Sequence, residues 1–297
     1  MYDIVIIGAG PAGMSAALFA RRSNKKVLLL EASTYGGQII KAHKISNYPT
    51  LEEVSGFDYA QKLYNQIKNL DTEIQYEKVI NIKNNPDYKE VITKKESYKT
   101  KSIIIATGSD NRLLGLDREK ELTGKGVSYC ATCDGAFFKG KDVAVVGNND
   151  NAIEDAMYLS DIANKVYLIN KSNTFKVDDS IVEELKSKNN VEIILNNNVI
   201  SLNGEDKLES ITLKDNSVIN ISGLFVSVGR VPENENFKEL IDINSEGYIV
   251  AGENCHTNVE GVFVAGDNRT KSLRQLVTAA SDGAIAATEA IKYVNSK

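Results

Sequence analysis

Cys130 and Cys133 are the residues of this sequence best suited to chemistry, because two thiols separated by two residues can close a small disulfide ring. Neighbouring amides and charges can lower the pKa of one thiol, so that it attacks as a thiolate. Asp134 follows directly and could protonate or deprotonate the attacking sulfur. The spacing therefore predicts redox chemistry at this pair.

The sequence leaves two other interpretations of the cysteine pair open. One is a zinc site, but zinc in proteins takes about four ligands, and only Cys255, His43 and His256 remain, scattered along the chain. The other is an inert pair of packed thiols. We expect no metal site, and we interpret Cys255, His43 and His256 as packing or surface residues.

A glycine-rich loop near the start of the chain is typical of dinucleotide binding. It follows an apolar run at residues 4–7 that predicts a buried parallel strand, and helical spacing comes after it. Gly8 permits the sharp turn, Gly10 lets the backbone approach a pyrophosphate, and Gly13 allows close packing of helix on strand. Glu31 ends the next predicted strand, where it could accept a hydrogen bond from a ribose hydroxyl.

The strand–turn–helix–strand pattern returns at residues 142–170, which predicts two doubly wound Rossmann-like domains of the α/β class. Short joins are expected near 111–116 and 243–248. A smaller domain that carries the cysteine pair is therefore inserted into a discontinuous one. We place the first part of the discontinuous domain at residues 1–112, the inserted domain at 113–244 and the second part at 245–297.

Composition limits the class of protein. The chain has 297 residues, 42% of them hydrophobic, and a formal net charge of −5, so a disordered or fibrous chain is excluded. The acidic balance and the lack of a basic block make nucleic acid an unexpected partner. No apolar run approaches the roughly 18 residues of a membrane span. With three cysteines and no targeting segment ahead of the first strand, the cytoplasm is the expected compartment.

The first glycine loop, together with Cys130-Ala131-Thr132-Cys133-Asp134 in a second domain of the same type, strongly resembles low-molecular-weight thioredoxin reductases over essentially the whole chain. The resemblance implies an FAD cofactor, thioredoxin as substrate and a homodimer. The further matching motifs are Tyr35-Gly36-Gly37-Gln38, Ala106-Thr107-Gly108, Gly229-Arg230-x-Pro232, Ala265-Gly266-Asp267 and Arg274-Gln275.

The resemblance also implies roles for individual residues. Cys133 matches the sulfur nearer the flavin, and Cys130 matches the one that attacks the disulfide of thioredoxin. The smaller domain must then move, or already stand apart, so that Cys130 can reach its substrate. The implied FAD-binding residues are Gly8, Gly10, Pro11, Ala12, Gly13, Glu31, Ala32, Gly36, Gly37, Gln38, Asn47, Val79, Thr107, Gly108, Asp267, Arg274, Gln275 and Leu276.

The second glycine loop departs from the pattern of NADPH-using relatives, which carry GxGxxA there. Asn149 occupies the position of the second glycine in the run from Gly147 to Ala152. A side chain there intrudes where a pyrophosphate needs bare backbone. Asp150 adds negative charge next to it. These residues predict that the loop has lost nucleotide binding.

The segment that would grip the 2′-phosphate of NADPH departs as well. NADPH-using relatives carry His-Arg-Arg-x-x-x-Arg, whereas this chain has Asn170, Lys171 and Ser172, with Lys176 at the last arginine position. Lysine is only a point-charge substitute for a bidentate arginine. The sequence also offers no acidic residue there for the 2′-hydroxyl of NADH.

Another reductant must then reach the flavin, and the chain resembles in this respect the branch of the family that takes electrons from ferredoxin. Plant-type ferredoxins lie near about −400 mV and thioredoxin near about −270 mV, a gap worth roughly 6 kcal/mol for two electrons. An acidic ferredoxin would dock on a basic surface. The candidate residues are Arg21, Arg22, Lys25, Lys26, Lys41 and Lys44.

Three competing functions remain. An NADPH-dependent thioredoxin reductase with a relaxed nucleotide site would use Lys171 and Lys176 to hold the coenzyme loosely. A flavin-binding redox sensor would use its disulfide to regulate a partner. A ferredoxin–NADP reductase on the same two-domain plan would need no cysteine pair, so Cys130 and Cys133 disfavour it.

Overall fold

The computed structural model describes residues 1–42, 44–51, 54–175, 177 and 179–297. The chain forms two compact units. The first unit comprises Met1–Asp110 and Val231–Lys297, and the second comprises Asn111–Arg230. The prediction of a discontinuous α/β domain with a smaller inserted domain therefore agrees with the fold.

The elements run in chain order as follows. Met1–Asp110 contains β1 (Tyr2–Ile7), α1 (Pro11–Arg22), β2 (Val27–Glu31), α2 (Gly56–Lys68), β3 (Glu73–Tyr76), β4 (Val79–Asn84), β5 (Lys89–Thr93) and β6 (Ser97–Ile105). The first crossing between the units is β7 (Ser109–Asn111). The second unit contains α3 (Glu119–Leu122), β8 (Val127–Ser128), α4 (Ala131–Asp134), β9 (Asp142–Val146), α5 (Asp150–Ser160), β10 (Lys165–Ile169), α6 (Asp179–Lys186), β11 (Val191–Ile194), β12 (Val199–Asn203), β13 (Ser210–Leu213), β14 (Val218–Asn220) and β15 (Gly223–Val226). The return crossing is β16 (Arg230–Pro232), followed by β17 (Val262–Val264) and α7 (Leu276–Asn295).

The sheet of the first unit has the strand order β3-β2-β1-β6-β5-β4, and β17 also pairs with β6. The strands β3, β2, β1, β6 and β17 are mutually parallel, whereas β5 and β4 are antiparallel additions. Alternate residues of β1 enter two different cores: Ile4 and Ile6 pack with α1 and α7, and Val5 and Ile7 pack on the opposite face. This two-sided burial explains the continuous apolar run.

The second unit contains a parallel sheet with the order β11-β10-β9-β15-β8. Its central strand β9 is buried on both faces, with Val143 and Val145 on one side and Ala144 and Val146 on the other. An antiparallel sheet, β12-β13-β14, covers one of these faces. The glycine loops of both units thus follow a central parallel strand, as the repeated pattern predicts.

The second crossing differs from its predicted place. The chain returns to the first unit between Arg230 and Val231, well before the boundary placed at 244, because Phe237, Ile241 and Ile249 belong to the core of the first unit. The first crossing, between Asp110 and Asn111, lies close to the boundary placed at 112. The two crossing strands, β7 and β16, pair with each other.

Candidate functional site

The cysteine pair forms a disulfide at the start of a short helix. Cys130 is the N-cap of α4 and Cys133 lies within it, with their Cα atoms 5.3 Å apart. Backbone N–H groups of Cys133 and Asp134 donate to the carbonyl of Cys130, at 3.3 and 3.1 Å. This turn brings the two sulfurs together, so the predicted disulfide is present.

Asp134 is connected to the cysteine pair through Ser128, a buried residue that the sequence analysis missed. The Ser128 hydroxyl donates to Asp134 Oδ2 at 2.7 Å and accepts from the backbone N–H of Cys130 at 3.1 Å. The hydroxyl therefore fixes the carboxylate beside the segment that carries both sulfurs. No sequence signal distinguishes this serine, because it meets Asp134 only once β8 and α4 have folded.

A buried carboxylate anchors the chain segments that precede the cysteine pair in the sequence. Glu119 is 2% exposed and accepts hydrogen bonds from the backbone of Leu114, Gly115 and Leu116. It also accepts from the Tyr129 hydroxyl at 2.8 Å. Burial and this carboxylate raise the pKa of Tyr129. Glu119 thereby anchors the residue that precedes Cys130.

Apolar side chains are exposed beside the disulfide. Phe137 is 44% exposed and Tyr158 is 38% exposed. A Cβ on Gly135 would lie 2.9 Å from the Tyr158 ring, so this tyrosine packs directly against the segment that follows Asp134. Exposed aromatic residues next to a reactive disulfide form a surface suited to a protein substrate. The run Gly135-Ala136-Phe137-Phe138 was visible in the sequence, but its exposure was not.

The first glycine loop has the geometry that a diphosphate requires. Gly8 has φ +106°, and a Cβ there would lie 2.3 Å from the carbonyl oxygen of Ala106. A Cβ on Gly13 would lie 1.8 Å from the carbonyl oxygen of Gly8, so α1 packs against the loop itself. A Cβ on Gly10, in contrast, would have nothing within 4 Å. The three predicted glycine roles therefore match the observed backbone, and Gly10 leaves an open cradle at the N-terminus of α1.

Glu31 lies at the carboxyl end of β2, beside this cradle. Its carboxylate accepts from the backbone N–H groups of Ala9 and Ser33, at 2.8 and 2.9 Å. A carboxylate can accept about four hydrogen bonds, and these two N–H groups use two of them. Glu31 can therefore still accept hydrogen bonds from ribose hydroxyls. The Gly36 N–H donates to the carbonyl of Ala9 at 2.8 Å, which brings the following motif to the same loop.

The other predicted FAD residues all lie in the first unit, and several contact one another. Asn47 Nδ2 donates to Gln275 Oε1 at 3.1 Å, and Gln38 donates to Asp110. Arg274 stacks on the Tyr248 ring. The predicted residues distribute as follows: Gly8, Gly10, Pro11, Ala12 and Gly13 after β1; Glu31 at the end of β2, with Ala32, Gly36, Gly37 and Gln38 after it; Val79 at the start of β4; Thr107 and Gly108 after β6; Asp267 after β17; Gln275 as the N-cap of α7, between Arg274 and Leu276; and Asn47 in the loop before α2.

A buried ionic cluster supports the turn that carries Asp267. Asp282 of α7 accepts from Arg269 Nε and Nη2 at 2.8 and 2.9 Å, and from Lys271 Nζ at 2.9 Å. It also accepts from the backbone N–H of Gly266 at 3.0 Å. Burial alone would raise the pKa of Asp282, but the bonds from Arg269 and Lys271 outweigh it and leave that pKa below its usual value. The residues present fit FAD, because this fixed turn and the open cradle at Gly10 follow the carboxyl ends of β17 and β1, two parallel strands that both pair with β6.

The second glycine loop leads into a helix whose N-terminus is capped by a side chain. Asn149 is the N-cap of α5, and its Oδ1 accepts from the backbone N–H of Ala152 at 3.2 Å. Gly10, the corresponding N-cap of α1, has no side chain to do this. The sequence predicted that Asn149 would obstruct a pyrophosphate by its bulk. The structure adds a second reason, since the side chain occupies an amide at the anion-binding end of the helix.

Asn170 also differs from its counterpart Glu31. It is fully buried, its Nδ2 donates to the carbonyl of Thr174 at 2.8 Å, and its Oδ1 accepts from the N–H of Ser172 at 2.9 Å. The side chain therefore holds its own turn instead of facing a ribose. Lys171 is exposed, and Lys176 lies outside the described residues.

The remaining predicted candidates have structural roles where they are described. Cys255 is a free, fully buried thiol, and burial raises its pKa to about 12. His256 pairs with Glu289 at 3.1 Å and packs on Phe263. His43 lies outside the described residues. Across the described ranges, no helix combines the length and apolar character needed to span a membrane.

Comparisons with known proteins agree with this geometry. Residues 2–283 match the family described as "Pyridine nucleotide-disulphide oxidoreductase". A thioredoxin reductase of Peptoclostridium acidaminophilum is 40% identical over 100% of this chain and 98% of its own length. The crystal structure of thioredoxin reductase from Streptococcus pyogenes has a TM-score of 0.95 at 39% identity, covering 100% and 99% of the two chains. A "Ferredoxin-Flavin Thioredoxin Reductase" from Clostridium acetobutylicum is 35% identical, covers 99% and 98%, and has a TM-score of 0.55. The chain belongs to the thioredoxin reductase family of FAD-dependent disulfide oxidoreductases.

Proposed function

We propose that this thioredoxin reductase receives its electrons from reduced ferredoxin rather than from NADPH. The observation that carries the proposal is the contrast between the two helix N-termini. Gly10 leaves the N-terminus of α1 open, whereas Asn149 caps that of α5 through Ala152. A pyrophosphate would have to displace this amide oxygen before it could use the same N–H group.

Charge around the second loop also opposes a dinucleotide. Asp150 and Glu154 are exposed on the first turns of α5. Asp155 lies on the same helix and accepts a hydrogen bond from Ser227, and burial raises the pKa of Asp155. Arg230 is the basic residue that acts on Asp155 electrostatically. The exposed carboxylates of Asp150 and Glu154 place negative charge near the loop, and this charge repels a diphosphate.

The identified relatives are consistent with either donor. The Peptoclostridium and Streptococcus proteins are called thioredoxin reductases without a stated donor. The Clostridium acetobutylicum protein is named for ferredoxin. A ferredoxin near about −400 mV can drive thioredoxin reduction near about −270 mV, which is roughly 6 kcal/mol downhill for two electrons.

The cysteine pair would carry out the chemistry on thioredoxin. The cradle at Gly10, Glu31 and the turn at Asp267 would hold FAD, which, once reduced by the external donor, would supply the two electrons needed to convert the Cys130–Cys133 disulfide into two thiols with uptake of two protons. The Cys130 thiolate then attacks the thioredoxin disulfide and expels one of its sulfurs as a thiolate. Cys133 attacks Cys130, which restores the disulfide and releases reduced thioredoxin after proton uptake. Asp134, fixed by Ser128, would exchange the proton with the attacking sulfur.

The basic residues predicted to dock ferredoxin are divided between two places. Arg21 and Arg22 lie in the last turn of α1, and Lys25 and Lys26 follow it, so this group is about 18 Å of helix away from the glycine loop. Arg21 is also occupied, since it donates to the carbonyls of Leu70 and Lys25. These residues therefore give no support to docking near the flavin.

Lys41 is better placed. It ends a 3-10 helix that begins at Gly37, and its Nζ donates to Gln38 Oε1 at 2.8 Å. Lys44 lies three residues further along the chain. We keep Lys41 and Lys44 as the basic residues for an acidic donor.

An NADPH-dependent reductase is the second candidate, and the exposed Lys171 and the presence of Arg230 favour it. A direct assay separates the two. The FAD-loaded protein is mixed anaerobically with oxidised thioredoxin and either chemically reduced ferredoxin or NADPH, and thioredoxin thiols are counted. We expect turnover with ferredoxin and negligible turnover with NADPH. Efficient turnover with NADPH would establish the second candidate instead.

Two serine variants test the cysteine roles. Cys133→Ser should trap thioredoxin as a mixed disulfide on Cys130, whereas Cys130→Ser should form no such adduct. Both should retain FAD, because the predicted cofactor residues all lie in the first unit. An adduct on Cys133 would reverse the assignment, and loss of FAD would contradict the domain assignment. Homodimer formation and a cytoplasmic location stay predictions from the sequence.

A further inference from the structure

Three polar side chains form a largely buried network in the first unit, and of these only Thr107 was singled out from the sequence. Asn234 is 1% exposed and Asn268 is fully buried. Asn268 Nδ2 donates to Thr107 Oγ1 at 3.0 Å, and Thr107 Oγ1 lies 3.3 Å from Asn234 Oδ1. Asn234 Nδ2 donates to the carbonyls of Gly247 and Asn268, at 2.9 and 2.8 Å. We refer to these three residues as the Thr107–Asn234–Asn268 network.

The network joins chain segments that matter for electron transfer. Thr107 lies between β6 and the outgoing crossing β7, and Asn234 follows the return crossing β16 closely. Asn268 is the neighbour of Asp267, which the family assigns to FAD. The network therefore ties both crossings to the turns that hold the cofactor within the first unit.

The polar groups here are not explained by stability alone. Asn268 Oδ1 is buried without a hydrogen-bond partner in the part of the chain that the structure describes, and so is the hydroxyl of Ser109 at the start of β7. A buried polar atom is costly unless a protein group, a water or a bound group forms a hydrogen bond with it, so Asn268 Oδ1 is available to such a partner.

We propose that the Thr107–Asn234–Asn268 network is a positioning element for electron transfer between FAD and the Cys130–Cys133 disulfide. It fixes the turns at Gly108 and Asp267 relative to the ends of β7 and β16 that lie in the first unit. In the transfer itself, two electrons pass between the flavin and the disulfide, and the Sγ–Sγ bond breaks as each sulfur gains a proton. This inference rests on the flavin–disulfide step of the proposed function and is independent of the external donor.

The test uses dithiothreitol in place of any protein donor or substrate. Dithiothreitol reduces the Cys130–Cys133 disulfide and is oxidised to its cyclic disulfide, and the resulting dithiol passes two electrons to the flavin, whose visible band bleaches. In anaerobic stopped-flow experiments on FAD-loaded protein, Asn268→Val should slow this bleaching by about tenfold or more, because small misplacements of reacting groups have such effects. FAD content and the rate of disulfide reduction, measured by thiol labelling, should stay at wild-type values.

Matched variants separate positioning from stability. Thr107→Val should slow bleaching like Asn268→Val, Thr107→Ser should restore most of the rate, and the double variant should be no slower than either single one. Ser102→Ala is the control, since its buried hydroxyl donates to the Gly261 carbonyl at 2.9 Å within β6 and is not part of the network.

Bleaching at the wild-type rate in Asn268→Val would overturn the proposal. Loss of folded, FAD-loaded protein in Asn268→Val would also overturn it, because the network would then be structural. If wild-type flavin failed to bleach although its disulfide was reduced, the proposed flavin–disulfide step would itself be wrong. Turnover with NADPH in the separate donor assay would refute only the ferredoxin assignment.

Discussion

The buried cluster at Asp282 offers a stability prediction whose size follows from the structure. Asp282→Asn keeps the shape of the side chain but removes the negative charge that Arg269 and Lys271 share. The side chains of these two cations are only 2% and 5% exposed. Removing one partner of a buried ion pair costs about 3–5 kcal/mol, because the remaining charge stays desolvated. We expect a loss of that size in the free energy of unfolding.

Denaturant unfolding near neutral pH, followed by flavin release, measures the loss. Glu289→Gln on the same helix is the matched control, since Glu289 makes exposed pairs with His256 and Lys292. Pairs of that kind contribute about 0–1 kcal/mol. Asp282→Asn should also weaken FAD binding, because the Gly266 N–H loses its charged acceptor. Equal unfolding midpoints for the two variants would refute the reasoning.

The pH dependence gives an independent signature. The pKa of Asp282 is lower in the folded chain than its ordinary value of 3.8. Its contribution to stability is therefore complete above that ordinary value and is lost as the pH falls through the folded pKa. The difference between wild type and Asp282→Asn should shrink on acidification over that window. A difference that stays constant there would contradict the charged interaction.

Three further predictions concern the second unit and the free thiol. Asn149→Gly should raise NADPH affinity in calorimetry at a stability cost of only a few tenths of a kcal/mol; an unchanged affinity would contradict the role given to the cap. Phe137→Ala should raise the KM for thioredoxin by about five- to tenfold, as for a contact worth more than 1 kcal/mol, whereas the exposed Val218→Ala on β14 should leave it unchanged; equal KM values would remove Phe137 from the substrate surface. Cys255, with its pKa raised to about 12 by burial, should resist iodoacetamide at mildly alkaline pH until the protein unfolds, and rapid labelling of the native protein would contradict its burial.

Local patterns made much of the fold predictable. Val5 and Ile7 pack on one face of β1 and Ile4 and Ile6 on the other, so a continuous apolar run indicated a buried parallel strand. The glycine loop was equally readable, because its spacing reflects backbone geometry within one turn. The return to the first unit lies between Arg230 and Val231 instead of at 244, because the segment after β16 carries core residues of the first unit, and no local sequence pattern indicates this.

The candidate site was predictable only in part. The spacing of Cys130 and Cys133 was enough to suggest their disulfide, since ring closure is local. Ser128 and Phe137 were missed, because hydrogen bonding to Asp134 and side-chain exposure arise only from the packed fold. The sequence indicated that Asn149 obstructs a pyrophosphate, but the hydrogen bond that it accepts at the start of α5 could be seen only in the structure.

The electron donor is tested most directly by titrating the anaerobic, oxidised, FAD-loaded protein with NADPH and recording the visible flavin band. We expect the band to persist through excess NADPH and then to bleach when reduced ferredoxin is added. Rapid, stoichiometric bleaching by NADPH alone would show that the capped N-terminus of α5 still admits the coenzyme, and would contradict the assignment of ferredoxin as donor.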